Sequence, residues 1–283
     1  MAIYSHSKLS TFEQCKLRFK LRYIDKIKPD IEKSIEAHLG TCVHDALEWL
    51  YNEVLDQKLP SLDDSIKKYT DRWEEDYKEN FIIVKKQFKA EDYFNKGVKF
   101  IIDYYLKHQP FKDGTLELEK KIWVTLHPNS KHKIIGYIDR LVYNKEKDEY
   151  EVHDYKTANS LPAQNHFDKD RQLALYGIAI RELYGQNKSI LLTWHYLKHN
   201  KQIFSKRTTE QFEKLKQDTL NLIHEIEQTN KFPETKSILC DWCEYKEMCP
   251  AWGKSLPQKS KEFQADLKDI EKDFPIASKY IKG

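Results

Sequence analysis

The spacing of apolar residues changes period along this chain, and each change predicts a new element. Leu17, Leu21 and Ile24 recur at helical spacing, and residues 36–57 continue as a helix that puts His44 and Glu48 one turn apart on one face. Residues 62–108 predict two further helices, rich in Lys, Glu and aromatics such as Trp73, Tyr77, Tyr104 and Tyr105, whose plainest role is core packing. Strand patterning begins at residues 115–126 and returns in residues 133–143, rich in Ile, Val and Tyr. Residues 149–155 form the next strand, and the Lys145-Glu146-Lys147-Asp148 cluster between them predicts a hairpin loop. A helix over 167–183, an apolar strand over 189–197 that completes the sheet, and a long helix over 208–229 follow. The charged stretch past Trp252 predicts either a docked helix or a mobile tail.

With 283 residues the chain can bury a large core, and no repeat or low-complexity linker divides it. No apolar run approaches a membrane span and the N-terminus lacks a signal core, so a soluble cytoplasmic protein without membrane contact is expected. The net charge of +3, from 48 basic and 45 acidic residues, says nothing about nucleic acid, so any phosphate-binding surface must be local. The best local candidate is residues 16–28, where Arg18, Arg22 and Lys26 form a stripe beside Phe19 and Tyr23. Such a stripe suits a single strand, and it equally suits an ordinary amphipathic helix.

The predicted hairpin concentrates chemistry. Asp139 lies on its first strand and Asp154-Tyr155-Lys156 ends its second. Strand alternation points Asp154 and Lys156 the same way, about 7 Å apart. Two carboxylates held that close repel unless a cation sits between them, and hard oxygen ligands suit Mg²⁺ or Mn²⁺. A neighbouring lysine can then orient a water or stabilise charge on a phosphate. Separately, Cys240, Cys243 and Cys249 place three thiols within ten residues, a compact chelating loop that needs a fourth ligand. Four thiolates suit zinc and iron–sulfur alike, and buried or free thiols remain the plain alternative. Cys42 reads as a core thiol beside His44.

Asp139 with Asp154-Tyr155-Lys156 resembles the PD-(D/E)XK nuclease superfamily, in particular its RecB-like and Cas4-like branch. Other motifs fall in the same order. They are the opening Tyr4-Ser5-His6-Ser7-Lys8-Leu9-Ser10-Thr11-Phe12-Glu13-Gln14-Cys15, then Gly40-Thr41-Cys42-Val43-His44, and Gln172-Leu173-Ala174-Leu175-Tyr176, like the family's Gln-x-x-x-Tyr. The likeness spans roughly residues 4–252, although Lys16 stands where the family often has Pro after its first cysteine.

The resemblance implies an α/β restriction-endonuclease-like core, a mixed sheet flanked by helices, with a helical lobe and a cluster region joining the termini. Its parts would be an N-terminal segment (1–35), lobe (36–110), catalytic core (111–232), cysteine loop (233–253) and tail (254–283), all one domain. It implies that His44, Asp139, Asp154 and the Tyr155 carbonyl hold Mg²⁺ or Mn²⁺, and that Lys156, Gln172 and Tyr176 complete the catalytic set. It also makes Cys15 the fourth ligand of a [4Fe–4S] cluster with Cys240, Cys243 and Cys249. Glu119 stands where relatives often carry an acid, though an exposed edge glutamate is equally consistent, and Glu48 would stand behind the site. The implied activity is DNA hydrolysis, exonucleolytic on single strands, in repair or CRISPR adaptation beside a helicase or adaptation proteins. The alternative is a non-catalytic DNA-binding or scaffolding module that keeps fold and cluster.

Overall fold

The computed structural model describes residues 3–29 and 33–256. The chain forms two compact units, Met1–Glu244 and Tyr245–Gly283. The sheet and both hydrophobic cores lie in the first. In the second, 3₁₀ turns at Lys246–Met248 and Pro250–Trp252 are described, with the Lys246 ammonium 4.8 Å above the Trp252 ring. From residue 257 the predicted tail lies outside the described residues.

A mixed six-stranded sheet organises the first unit: β1 (Ile3–Ser5), β2 (Thr115–Thr125), β3 (Lys133–Asn144), β4 (Glu149–Lys156), β5 (Ser189–Tyr196) and β6 (Lys201–Ser205). The path runs β1-β3-β4-β5-β6, with β2 added on β3; β1–β3 and β4–β5 are parallel and the other pairs antiparallel. The strand over 189–197 therefore does not complete the sheet. The polar stretch after it turns back through a left-handed Asn200 (φ 47°) and adds an edge strand.

β3 decides where a site can form. β2 occupies one edge of β3 from Lys133 to Val142. On the other edge β1 pairs only residues 133–135 and β4 only residues 140–144. Residues 136–139 thus have an open edge where the two neighbours part, and Asp139 stands in that gap.

Helices cover the sheet through two apolar clusters. In the larger, α7 (Arg171–Tyr184) and α8 (Thr209–Gln228) pack with Ile122, Val124, Ile134, Ile138 and Val152. α1 (His6–Gln14) adds Leu9 and Phe12. The smaller is the lobe: α3 (Ile35–Leu55), α4 (Leu62–Asp76) and α5 (Ala90–His108), closing on Tyr155 and Leu197. Alternation along β4 divides its side chains between the two, Val152 to the first and Tyr155 to the second. The helix predicted over 167–183 is broken: a short α6 (Gln164–Phe167) ends before Asp170, whose carboxylate accepts from Leu173 N at 2.9 Å and starts α7.

The basic N-terminal stripe also resolves. α2 (Lys16–Phe19) continues as a π-helical turn over Lys20–Ile24, and Arg18 and Arg22 both reach Glu244, at 2.7 and 3.4 Å. Phe19 is buried, stacked on Phe232, and Leu17 N donates to Pro233 O at 3.1 Å. These are structural contacts: Arg18 and Arg22 are paired and Phe19 is buried, as on an ordinary amphipathic helix. Cys42 is buried as expected, but its sulfur lies 3.7 Å from His38 Nε2 rather than beside His44, because His38 is the residue one turn back on the buried face. Burial pushes its thiol up to about 12, which keeps it inert.

Candidate active site

β4 delivers Asp154 and Lys156 toward α7, as alternation requires. Asp154 Oδ2 is buried, and Lys156 Nζ stands 2.7 Å away in an ion pair whose geometry is not that of an aligned hydrogen bond. Lys156 Nζ also donates to Gln172 Oε1 at 3.1 Å, and Gln172 Nε2 donates to Tyr176 Oη at 3.4 Å. Gln172 and Tyr176 are one turn apart on α7, so one helix face carries the relay. The four predicted residues Asp154, Lys156, Gln172 and Tyr176 are therefore brought into one chain of contacts. Gly136 makes room for it: a Cβ there would lie 2.3 Å from the Tyr176 ring. Burial works against the charge of Lys156, but the Asp154 carboxylate outweighs it and holds the ammonium above the usual lysine range.

Asp139 fills the gap between β3 and β4. Its Oδ2 accepts the Tyr155 N–H at 2.8 Å, replacing the ladder carbonyl that the parting strands no longer supply. His44 reaches in from α3: Nε2 lies 2.7 Å from the Tyr155 carbonyl and Nδ1 lies 3.4 Å from Asp139 Oδ2. A carbonyl only accepts, so Nε2 carries the proton, and Nδ1 is the nitrogen turned to the carboxylates. The Tyr155 carbonyl keeps a second lone pair.

Glu119 joins them. His44, Glu119 and Asp139 each offer a ligand atom, and the three atoms lie within 4.8 Å of one another. Glu119 has a left-handed backbone (φ 42°) within β2. Strand alternation breaks there: Lys120 Nζ reaches Glu117 at 2.5 Å and lies 6.0 Å from the Tyr184 ring, while Leu118 packs in the lobe cluster. Such backbone costs of order 1–3 kcal/mol for a non-glycine residue and is concentrated at functional sites. Sequence spacing could name Glu119 as an acid on the right strand but could not show this break.

Electrostatics set the group apart. Burial, then the charge of Asp154, raises Asp139 to about 6, against the pull of His44, the Tyr155 N–H and Lys156. Burial, then Asp139, raises Glu119 to about 7. Glu48 is also raised, by burial and by Asp45. Surplus carboxylate charge shared between buried groups is the arrangement a divalent cation relieves. The donor set, carboxylate oxygens and one imidazole, fits Mg²⁺ or Mn²⁺. Asp154 lies within electrostatic reach of Asp139 but outside the group of three, engaged by Lys156. His6, unremarked from sequence, stands near this pair: burial, then Arg171 and Lys156, lowers it to about 4, so it is neutral.

Cys15 caps α2, its sulfur accepting from Arg18 N at 3.5 Å, and Cys240 Sγ accepts from Ser237 N at 3.4 Å. Cys243 acts electrostatically on the Arg18 guanidinium, so it lies near the turn that Cys15 caps. Cys249 belongs to the second unit. No helix among the described residues is long and apolar enough to cross a membrane.

No curated protein matches this sequence. A crystal structure from Eubacterium rectale, named as a candidate exonuclease, is similar at 13% identity over 84% of this chain and 86% of its own, with a TM-score of 0.45. The structure of SSO0001 is similar at 19% identity over 59% of this chain and 76% of its own, with a TM-score of 0.32. The profile of the PD-(D/E)XK nuclease superfamily matches residues 3–250, nearly the whole of the described chain, and the chain belongs to that superfamily.

Proposed function

We propose that this protein is a metal-dependent deoxyribonuclease of the RecB-like and Cas4-like branch, acting as an exonuclease on single-stranded DNA. The observation that carries the reading is the convergence of His44, Glu119 and Asp139 at the open edge of β3, beside the Asp154–Lys156–Gln172–Tyr176 relay. His44, Glu119, Asp139, Asp154 and the Tyr155 carbonyl would hold Mg²⁺ or Mn²⁺, which when bound lowers the pKa of water and neutralises phosphate charge. Lys156, kept charged by Asp154, positions a phosphoryl oxygen or the attacking water. Gln172 fixes the ammonium and Tyr176 fixes Gln172, so the cation is aimed before substrate arrives. His44 keeps the Tyr155 carbonyl, and with it the end of β4, in place.

A [4Fe–4S] cluster on Cys15, Cys240, Cys243 and Cys249 is the second part of the proposal. Backbone N–H groups donate to the Cys15 and Cys240 sulfurs and the Arg18 guanidinium stands near Cys243, and hydrogen bonds to sulfur of this kind accompany cluster ligands. Purified without air, the protein is expected to be brown with broad visible absorbance; a colourless protein with stoichiometric zinc would replace iron by zinc. A role in repair or CRISPR adaptation, beside a helicase or adaptation proteins, fits such an enzyme.

End-labelled single- and double-stranded DNA, incubated with Mn²⁺ or Mg²⁺, tests the activity. Cleavage of the single strand is expected, abolished by EDTA and reduced more than about 100-fold by Asp154→Ala. A ladder growing from one end would establish exonuclease action. DNA binding without cleavage, unaltered by the substitution, would leave a scaffolding module.

A further inference from the structure

The face of β2 and β3 that carries Glu119 and Asp139 does not end at the carboxylates. Antiparallel register places Lys121 opposite Tyr137, Trp123 opposite Ile135, and Thr125 opposite Lys133. Side chains two apart share a face, so these rungs continue on the side of Asp139, while Ile122, Val124, Ile134 and Ile138 turn to the core. The six residue steps from Asp139 back to Lys133 span about 20 Å. Tyr137 is 49% exposed and Trp123 is 40% exposed. They are diagonal neighbours across the ladder, within reach of one another at about 7–8 Å.

Two large aromatics left open on a sheet face, where neither enters a core, call for an occupant. The charge beside them says which. Lys121 Nζ lies 5.4 Å from the Trp123 ring, and neither Lys121 nor Lys133 forms an ion pair among the described residues. Several other cations in the first unit are already paired: Arg18 and Arg22 with Glu244, Lys67 with Asp71, Lys99 with Asp103. Free cations interleaved with open π-faces suit a backbone of phosphates carrying unpaired bases. A duplex hides its base faces, so it gains only the charge. The platform also begins two residues from Asp139, so a strand on it leads directly to the carboxylates.

We infer that Tyr137 and Trp123 form a stacking platform for unpaired bases of a single strand, with Lys121 and Lys133 holding its phosphates. The inference rests on the nuclease reading for its direction toward the site, but its test does not need cleavage. Binding of labelled oligothymidylate is measured by anisotropy in EDTA, where a metal-dependent nuclease is silent. Trp123→Ala and Tyr137→Ala are each expected to weaken binding roughly 5- to 150-fold, with binding restored by Trp123→Phe and Tyr137→Phe. Lys121→Gln with Lys133→Gln is expected to lower the slope of log affinity against log salt by about 0.7 per lysine. Affinity for a blunt hairpin duplex should stay level in both aromatic variants, and their melting temperatures should match wild type because the side chains are exposed. Unchanged oligothymidylate binding in both alanine variants would overturn the platform, whether or not the wild type cleaves DNA. So would a wild-type dimer in light scattering that the variants dissociate while binding DNA normally, since the face would then join two copies of this chain.

Discussion

Two sides of the junction between β3 and β4 handle buried charge in opposite ways. Toward the lobe, Arg140 is buried with every nitrogen engaged: Nε donates to Tyr155 Oη at 2.9 Å, one terminal nitrogen to His153 Nδ1 at 2.9 Å, and the other to Thr115 Oγ1 at 3.1 Å and to Asp113. Arginine only donates, so His153 Nδ1 accepts, and its Nε2 proton goes to Glu151 at 3.1 Å. His195 Nε2 lies 2.7 Å from the same Nδ1, packed against it in the stacked ring pair. Burial, then Arg140, lowers His153 to about 4, so the histidine stays neutral and the network is closed. At the open edge of β3 the count does not close: Asp139 and Glu119 there, and Asp154 turned to α7, share one lysine, and Asp139 and Glu119 are raised to about 6 and 7. A buried charge answered within the chain is architecture. Charge left in surplus is a site that needs something from outside.

Breaking the closed side should have the largest effect. Arg140→Met leaves Asp113, His153 and the Tyr155 hydroxyl without their shared donor. Removing one partner of a buried ionic network costs about 3–5 kcal/mol, and chemical denaturation should show a loss of that size. A loss under about 1 kcal/mol would mean that the network is not what holds Tyr155, and the contrast between the sides would fail.

Much of this molecule was legible in its sequence because the signals were local. The hairpin from β3 to β4, the helices α3 and α8, and the shared direction of Asp154 and Lys156 follow from period and spacing, whereas their meeting with Gln172 and Tyr176 was implied by the family resemblance. What escaped depended on partners far along the chain. The stripe of Arg18 and Arg22 stayed open between a strand-binding surface and an ordinary helix face because Glu244, more than 220 positions away, cannot be seen from residues 16–28. The strand over 189–197 read as the last of the sheet, yet β6 forms beyond it because β5 offers it an edge. Glu119 was visible as an acid, but only its left-handed backbone turns it to His44 and Asp139.

A smaller effect is expected where the open site meets its packing. Gly136→Ala puts a methyl 2.3 Å from the Tyr176 ring, so the ring must move or β3 must shift. Overpacking of this kind costs about 1–3 kcal/mol. Displaced Tyr176 releases Gln172, and Lys156 loses its aim, so cleavage should fall further than stability alone explains. Comparing turnover with the folded fraction separates the two losses. Turnover that simply tracks folding would make Tyr176 a core residue.

The smallest effect in stability is the most specific test of surplus charge. Folded Glu119 and Asp139 hold protons more tightly than their ordinary values of 4.5 and 3.8 allow. Ionising them therefore costs folding stability: the cost is absent below the unfolded values, grows as pH rises, and is complete above the folded values of about 7 and 6. Metal-free protein should lose melting temperature across that window. Glu119→Gln removes one titration and relieves the other, so the variant should melt above wild type at about pH 8 and converge with it near pH 4. Mn²⁺ should reverse the order, raising the wild type and scarcely the variant, because the ion replaces the missing countercharge and loses an oxygen ligand in the variant. Its stabilisation should be greater at about pH 8 than at pH 6, since binding must displace the shared protons. Parallel melting curves for wild type and Glu119→Gln, with and without Mn²⁺, would show that Glu119 shares no charge with Asp139, and the open side would be as self-contained as the closed one.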